Sequence, residues 1–305
     1  FERFARVVPQ DNILIVTAER YRDLVMEELP PMKKENLLLE PYTRNTAPSV
    51  AYATYTLLKR NPEAHVVVKP SDHFIQNEEL FCETIRLAFD FVEKNDVLMT
   101  LGLLPTRPDS NYGYIQAVGG REAFRSEVPL QVKTFTEKPD KELAQVFINT
   151  GEFFWNSGIF IWKAQTIREE MEKHLPEVTR LFNGWERAIG SRIEEEFIAR
   201  AFTDCTNISI DYGVMEKTDR AWIYPAKFDW QDIGTWESLY NFIPDKDRNG
   251  NVIGPEKALI EESRDIMVIT ADRKKKMVAI KGLEDYMVID TDDALVICPK
   301  DDKMF

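Results

Sequence analysis

The chain is poor in the residues that announce the easily read chemistries. It has three cysteines, Cys82, Cys205 and Cys298, and three histidines, His65, His73 and His174. No two cysteines are spaced as a metal knuckle or a redox pair, and an odd count argues against a disulfide framework. They read as buried thiols in a reducing compartment, so the chain is expected to be cytoplasmic. The scattered histidines do not have the spacing of a zinc site. Long apolar runs are lacking too. Stretches such as 13–16 and 153–155 fall far short of the roughly 20 residues of a membrane span, and no signal peptide is visible. Cations are outnumbered, with 39 Lys and Arg against 52 Asp and Glu and a net charge of −13. That excludes a nucleic acid polymer or an anionic membrane as the expected partner. A single nucleotide is still allowed, because a metal ion and a few placed cations can neutralise a triphosphate locally. The chain also has no initiator methionine. It opens on Phe1-Glu2-Arg3-Phe4, which reads like the middle of a helix, so the natural N-terminus is expected upstream.

What is present suits a globular protein. Apolar residues make up 44% of 305, enough for one large domain with a small appendage. Short runs of β-formers (12–17, 37–39, 65–69, 97–103) alternate with stretches of helical spacing (18–29, 46–60, 80–94). Thr46 is a candidate N-cap with Pro48 in the first turn. This alternation predicts an α/β domain with a mostly parallel or mixed sheet, and ligands outside the carboxyl ends of the strands. Further strands are expected at 112–117, 131–137 and 153–162, and helices at 164–175, 177–188, 193–202, 212–217 and 236–242. After Pro244 come a polar stretch and short, evenly spaced strands at 258–261, 266–270, 276–280, 286–290 and 294–298. The expected domains are therefore 1–244 and an all-β appendage over 245–305. Even spacing suggests stacked, β-helix-like coils, although no residue motif repeats clearly.

Five segments could carry chemistry. Lys69-Pro70-Ser71-Asp72-His73 follows a strand and offers Asp72, a hard oxygen donor suited to Mg²⁺; as an isolated motif, Asp72 is more simply the N-cap of the next helix. Asp232, in Trp230-Gln231-Asp232-Ile233-Gly234, could hold the other side of a metal or merely shape a glycine turn. Glu137 and Lys138 end a strand at Pro139 and would point to opposite sides of an extended segment; a solvated charge pair is the plain alternative. Asn156-Ser157-Gly158 interrupts an apolar strand, as a bulge or as a close approach of ligand to backbone, and an Asn in such surroundings needs a partner. Residues 40–48 join a strand end to a helix N-terminus, where anions and polar ligand edges find free N–H groups, or form a simple capped loop.

Taken in order, the motifs resemble the mannose-1-phosphate guanylyltransferases. They are Glu40-Pro41 with Arg44-Asn45-Thr46-Ala47-Pro48, Pro70-Ser71-Asp72-His73, Asn111-Tyr112-Gly113-Tyr114-Ile115, Thr136-Glu137-Lys138-Pro139, Trp155 to Phe160, Ser209 to Lys217, and Trp230 to Trp236. The likeness runs from about residue 12 to residue 236, and the tail is similar to that family's C-terminal β domain, which could be truncated here. It implies a Rossmann-like nucleotidyltransferase domain that transfers GMP from GTP to mannose 1-phosphate, giving GDP-mannose and pyrophosphate. It further implies that Asp72 and Asp232 hold Mg²⁺ and that Lys138 contacts the sugar phosphate. Glu137, Asn156 and the backbone at Gly113 would meet the sugar, and the loop with Glu40, Arg44, Asn45 and Thr46 would meet the base. A homodimer through the β appendage, or a lid formed by it, is equally compatible.

The reaction suits this inventory. A phosphate monoester has its second pKa near ~6, so the nucleophile is already ionised and no general base is needed. The obstacle is charge, which a metal and a lysine relieve. A carboxylate at Glu40 would accept both donors on the edge of guanine and would repel the acceptors of uracil or thymine. Two departures stand out. The family's glycine-rich triphosphate loop has no counterpart, so this polypeptide by itself is expected to be inactive. Residue 213 is glycine where relatives often carry alanine. Another nucleoside triphosphate, glucose 1-phosphate as acceptor, or a non-catalytic regulatory homologue are the alternatives.

Overall fold

The computed structural model describes all residues except 126, 273, 275, 301 and 303–305. Its backbone contacts divide the chain into two compact units: Phe1–Pro70 with Asn77–Phe228, and Ser71–Gln76 with Asp229–Phe305. The division thus falls at residue 229, earlier than the boundary expected near Pro244. The physical reason is local pairing. Strand Trp230–Asp232 bonds antiparallel to strand His73–Ile75, and Tyr240 packs with Val252, Met267 and Met287.

The first unit is built on a six-stranded sheet in the order His65–Val68, Phe153–Lys163, Leu98–Leu103, Ala221–Pro225, Leu130–Thr136, Tyr114–Ala117. The sheet is mixed. Only Leu98–Leu103 and Ala221–Pro225 run parallel within it, because Phe153–Lys163 inserts antiparallel between two strands that share a direction. A separate parallel pair joins Ile15–Ala18 to Leu37–Glu40. Phe153–Lys163 is buried along nearly its whole length, the pattern of a strand covered on both faces.

Helix Thr46–Arg60 buries Ala47, Val50, Ala51, Tyr55 and Leu58, one stripe at helical spacing. They join one core with Ile167, Met171 and Trp162, and Tyr55 stacks on Phe182 at 5.3 Å. Helix Glu78–Lys94 buries Phe81, Ile85, Ala88 and Val92 and lies against Leu98–Leu103 and Phe153–Lys163. No helix among the described residues is long and apolar enough to cross a membrane.

Some elements differ from expectation. The helix expected over 177–188 is broken into Pro176–Thr179, Arg180–Phe182 and Trp185–Ala188, since Gly184 adopts φ 92°. Three short strands, His73–Ile75, Ala221–Pro225 and Trp230–Asp232, are too brief to show a period. Helix Lys141–Thr150 has no counterpart among the expected elements, although Asp140 caps Leu143 N at 2.8 Å and Gly151 ends the helix in the left-handed region.

In the second unit two parallel strand pairs stack with an offset of 20 residues. Ala258 faces Val278, and Met267 faces Met287. A 20-residue repeat, Asp265-Ile266-Met267-Val268-Ile269 against Asp285-Tyr286-Met287-Val288-Ile289, underlies this pairing. Alternate positions fill two cores, with Met267 and Met287 in one and Val268 and Val288 in the other. The turns repeat as well. Asp265 and Asp285 take φ 52° and 59°, while Glu262 and Gly282 take 50° and 73°. A lone coil has no way to bury its apolar face; stacking supplies the partner.

Candidate active site

Three groups of the expected site residues are brought together, two in the first unit and one in the second. The most concentrated surrounds Asn156. The polar triplet 156–158 forms a bulge, with a register shift against Thr100 to Gly102 and Gly158 at φ 67°. This turns the Asn156 side chain among polar groups inside the first unit. Asn156 Oδ1 lies 2.9 Å from the hydroxyl of Thr100 and accepts Gly158 N at 3.2 Å, while its Nδ2 donates to Asp211 Oδ1 at 2.8 Å. Its backbone N–H donates to the Gly113 carbonyl at 2.8 Å. A Cβ added at Gly113 would sit 2.4 Å from Glu137 Oε2 and 3.3 Å from Asn156 Cβ, so a side chain there would displace the Glu137 carboxylate, and Glu137 and Asn156 meet at Gly113.

Glu137 and Lys138 do not point to opposite sides as expected. Lys138 takes φ 47° just past the strand end, the chain turns, and its Nζ comes within 3.7 Å of Glu137 Oε1. Glu137 keeps only 11% of its side chain exposed, Lys138 60%. Burial, reinforced by the neighbouring Asp211, pushes the Glu137 carboxyl up to about 7, with Lys138 pulling it back. Burial likewise raises Asp211, and its hydrogen bond from Asn156 opposes this. Glu216 accepts the backbone N–H of Glu137 at 3.2 Å. Thr100, Asp211 and Glu216 are the members that sequence reasoning missed. Asp211 and Glu216 lie in the 209–217 segment, whose order carried the resemblance without revealing what the residues touch. Asp211 opens a π-helical turn, Asp211–Met215, a form common at functional sites. Gly213 within it faces Leu175, whose Cδ1 would be 2.5 Å from an added Cβ.

The loop after strand Leu37–Glu40 lines an open cleft of about 380 Å³ with Ala18, Glu19, Arg20, Glu40, Tyr42 and Arg44. The cleft sits at the carboxyl ends of the parallel pair Ile15–Ala18 and Leu37–Glu40, where such sheets place ligands. Glu40 is buried, held above the usual carboxylate range by desolvation, and accepts the Ser49 hydroxyl. Arg44, Asn45 and Thr46 do other work. Arg44 donates to the carbonyls of Phe202 and Thr203 at 2.8 and 3.0 Å. Asn45, at φ 68°, caps the helix through Thr46 N. The Thr46 hydroxyl accepts Ile210 N at 2.9 Å. With Ala47 N donating to the Ile208 carbonyl at 3.1 Å and Ile208 N to the Arg44 carbonyl at 3.3 Å, the Thr46 bond fastens 44–47 to 208–210, so these two motif segments are neighbours.

In the second unit, Asp72 precedes strand His73–Ile75, and the next helix is capped by Asn77 instead; the N-cap alternative for Asp72 does not hold. Asp72 O accepts Ile233 N at 3.0 Å, and Asp232 pairs with His73 across the two strands. Asp232 Oδ1 accepts Gly234 N at 2.7 Å, shaping the glycine turn. A Cβ on Gly234 would lie 2.4 Å from Asp72 Oδ2 and 3.0 Å from Asp232 Oδ1. Both carboxylates therefore reach one point, which the missing side chain keeps open. Two hard oxygen donors fit a divalent cation that takes its other ligands from phosphates and water. Among the described residues no group of three acidic, histidine or cysteine side chains could hold a metal by itself.

Comparison with known proteins places the chain among relatives. The profile described as Nucleotidyl transferase matches residues 3–248. The alginate biosynthesis protein AlgA of Pseudomonas aeruginosa is 35% identical over 291 residues, covering 94% of this chain and 59% of its own length. A mannose-1-phosphate guanylyltransferase of Salmonella montevideo is 36% identical over 295 residues, covering 93% and 59%. The chain thus spans about three-fifths of the length of these relatives. Among solved structures, a mannose-1-phosphate geranyltransferase from Thermus thermophilus superposes with a TM-score of 0.78 at 28% identity, over 98% of this chain and 83% of the other. A mannose-6-phosphate isomerase from Helicobacter pylori gives 0.62 at 29%, over 76% and 88%. With that profile running across most of its length, the chain belongs to the nucleotidyl transferase family.

Proposed function

We propose that the protein transfers GMP from GTP to mannose 1-phosphate, releasing pyrophosphate and forming GDP-mannose, with Mg²⁺ as the divalent cation. The observation that carries the reading is the convergence of Asp72 and Asp232 on the open point at Gly234, in a chain whose curated relatives include enzymes named for this reaction.

In this reading Lys138, with its ammonium largely exposed, meets the phosphate of the sugar. Glu137 and Asn156 meet sugar hydroxyls, and Glu40 accepts from the donors on the edge of guanine. Asp72 and Asp232 would hold the cation, which supplies charge neutralisation when bound. The chain's own residues orient the nucleophile, and no residue need remove a proton from it, since a phosphate monoester is largely ionised at neutral pH.

The test uses the full-length protein with GTP, mannose 1-phosphate and Mg²⁺, measuring pyrophosphate. UTP and glucose 1-phosphate replace each substrate in turn. The expected result is GTP- and Mg²⁺-dependent release that Asp232→Asn reduces by at least about 10²-fold, the scale at which lesser changes around metal sites already act. Robust turnover by that variant removes Asp232 from the metal site. Equal turnover with UTP or glucose 1-phosphate overturns the substrate assignment.

A further inference from the structure

Counting hydrogen-bond valences around Asn156 leaves very little free. The amide has two N–H donors and one oxygen with two lone pairs. The oxygen accepts Gly158 N at 3.2 Å and meets the Thr100 hydroxyl at 2.9 Å, whose one proton is shared with the Ile159 carbonyl at 3.1 Å, and one N–H is taken by Asp211 Oδ1 at 2.8 Å. Gly158 N can only donate, so the amide is keyed from one side; Asp211 Oδ1, which accepts, keys it from the other. One polar valence remains, the second N–H. Nearby, Glu137 Oε2 is a buried oxygen without a hydrogen-bond partner in the protein. It and the Asn156 Cβ flank the same glycine, Gly113. A leftover donor and a leftover acceptor on two residues that meet at one glycine together complement a hydroxyl group, which both accepts and donates.

We propose that Asp211 is a positioning residue for sugar recognition: it holds the Asn156 amide so that its remaining N–H donates to a sugar hydroxyl while Glu137 accepts. The inference rests on the guanylyltransferase reading and adds Asp211 to it. Asp211 touches no substrate; it acts through Asn156. Its role does not depend on its own ionisation, because a carboxylate and a protonated carboxyl both present an accepting oxygen to Nδ2. An asparagine at 211 can present one as well, whereas alanine cannot.

The experiment compares the full-length protein with Asp211→Ala and Asp211→Asn, after checking by thermal melting that each is folded. For Asp211→Ala, KM for mannose 1-phosphate should rise about ten-fold, the scale of one hydrogen bond to a charged or strongly polar group. KM for GTP and kcat should stay within about two-fold. Asp211→Asn should restore most of the loss. With a series of monodeoxy mannose 1-phosphates, the penalty of the alanine variant should vanish for the one analogue that lacks the hydroxyl Asn156 reads. If the alanine variant does not fold, Asp211→Ser, too short to reach Nδ2, is read in the same way. An equal rise in both KM values, an equal penalty for every analogue, or an asparagine variant as impaired as alanine would overturn the assignment. A parent protein that releases no pyrophosphate from GTP and mannose 1-phosphate would instead overturn the reading beneath it, and the inference with it.

Discussion

Replacing Glu137 by Gln should remove one source of the fold's sensitivity to pH between about 4.5 and 7. Burial and the neighbouring Asp211 raise the Glu137 carboxyl from an ordinary 4.5 to about 7 in the folded protein. A carboxyl raised by folding favours the folded state while it holds its proton. Below 4.5 it is protonated in both states and this contribution is fully present. As pH climbs to about 7 the unfolded chain releases the proton first, and stability falls. Above that both states are ionised and the loss is complete. At 1.36 kcal/mol per pH unit the total is about 3 kcal/mol, and no large discount for solvent is needed because the side chain is only 11% exposed. Glutamine mimics the protonated form at every pH. Urea unfolding of parent and Glu137→Gln at about pH 4.5, 6 and 8 checks this: the variant should gain on the parent with rising pH by about 3 kcal/mol in all. A difference between the two that does not change with pH refutes the reasoning, since it would mean that Glu137 ionises in the folded state as readily as in the unfolded chain.

Three further outcomes are expected. Glu40→Gln should loosen the preference for GTP over UTP, because an amide presents one acceptor where the carboxylate presents two; an unchanged ratio of the two kcat/KM values rejects the role given to Glu40. Gly234→Ala should raise the Mg²⁺ concentration needed for half-maximal turnover, since the new methyl would press on Asp72 and Asp232; an unaltered Mg²⁺ titration separates that point from the metal. Gly282→Ala should cost about 1 kcal/mol in urea unfolding through its backbone alone, because the residue sits at φ 73° with nothing within 4 Å of an added Cβ; a neutral substitution would show that the turn relaxes freely.

Much of the architecture was legible from periodicity and caps. Helices Thr46–Arg60 and Trp236–Phe242 have the expected spans, and Asn45 and Thr235 cap them through local side-chain bonds; the cap of the first is Asn45 and not Thr46 as expected, because the Asn45 side chain accepts Thr46 N while the Thr46 hydroxyl accepts Ile210 N. The buried Asn156 was flagged by its apolar surroundings, and its need for a partner was correctly anticipated. The β coils are legible in strand spacing, while the 20-residue repeat beneath them is faint because only the Asp and the Met-Val-Ile core of each rung repeat. Arg44, Asn45 and Thr46 show the opposite case: the sequence marked them as important, and their bonds go to the protein's own backbone.

By itself the sequence determined the elements whose causes are local: which stretches form helices, where caps and glycine turns fall, and which carboxylates, lysines and asparagines are available for chemistry. Tertiary structure decided everything that depends on residues far apart in the chain meeting. It inserted one antiparallel strand and made the sheet mixed. It put Asp211 against Asn156, 55 residues away, and brought Asp72 and Asp232 to a single point. It also raised Glu137 to about 7. A carboxyl's proton affinity follows from the water it loses and the charges it gains, and neither exists until distant segments pack around it.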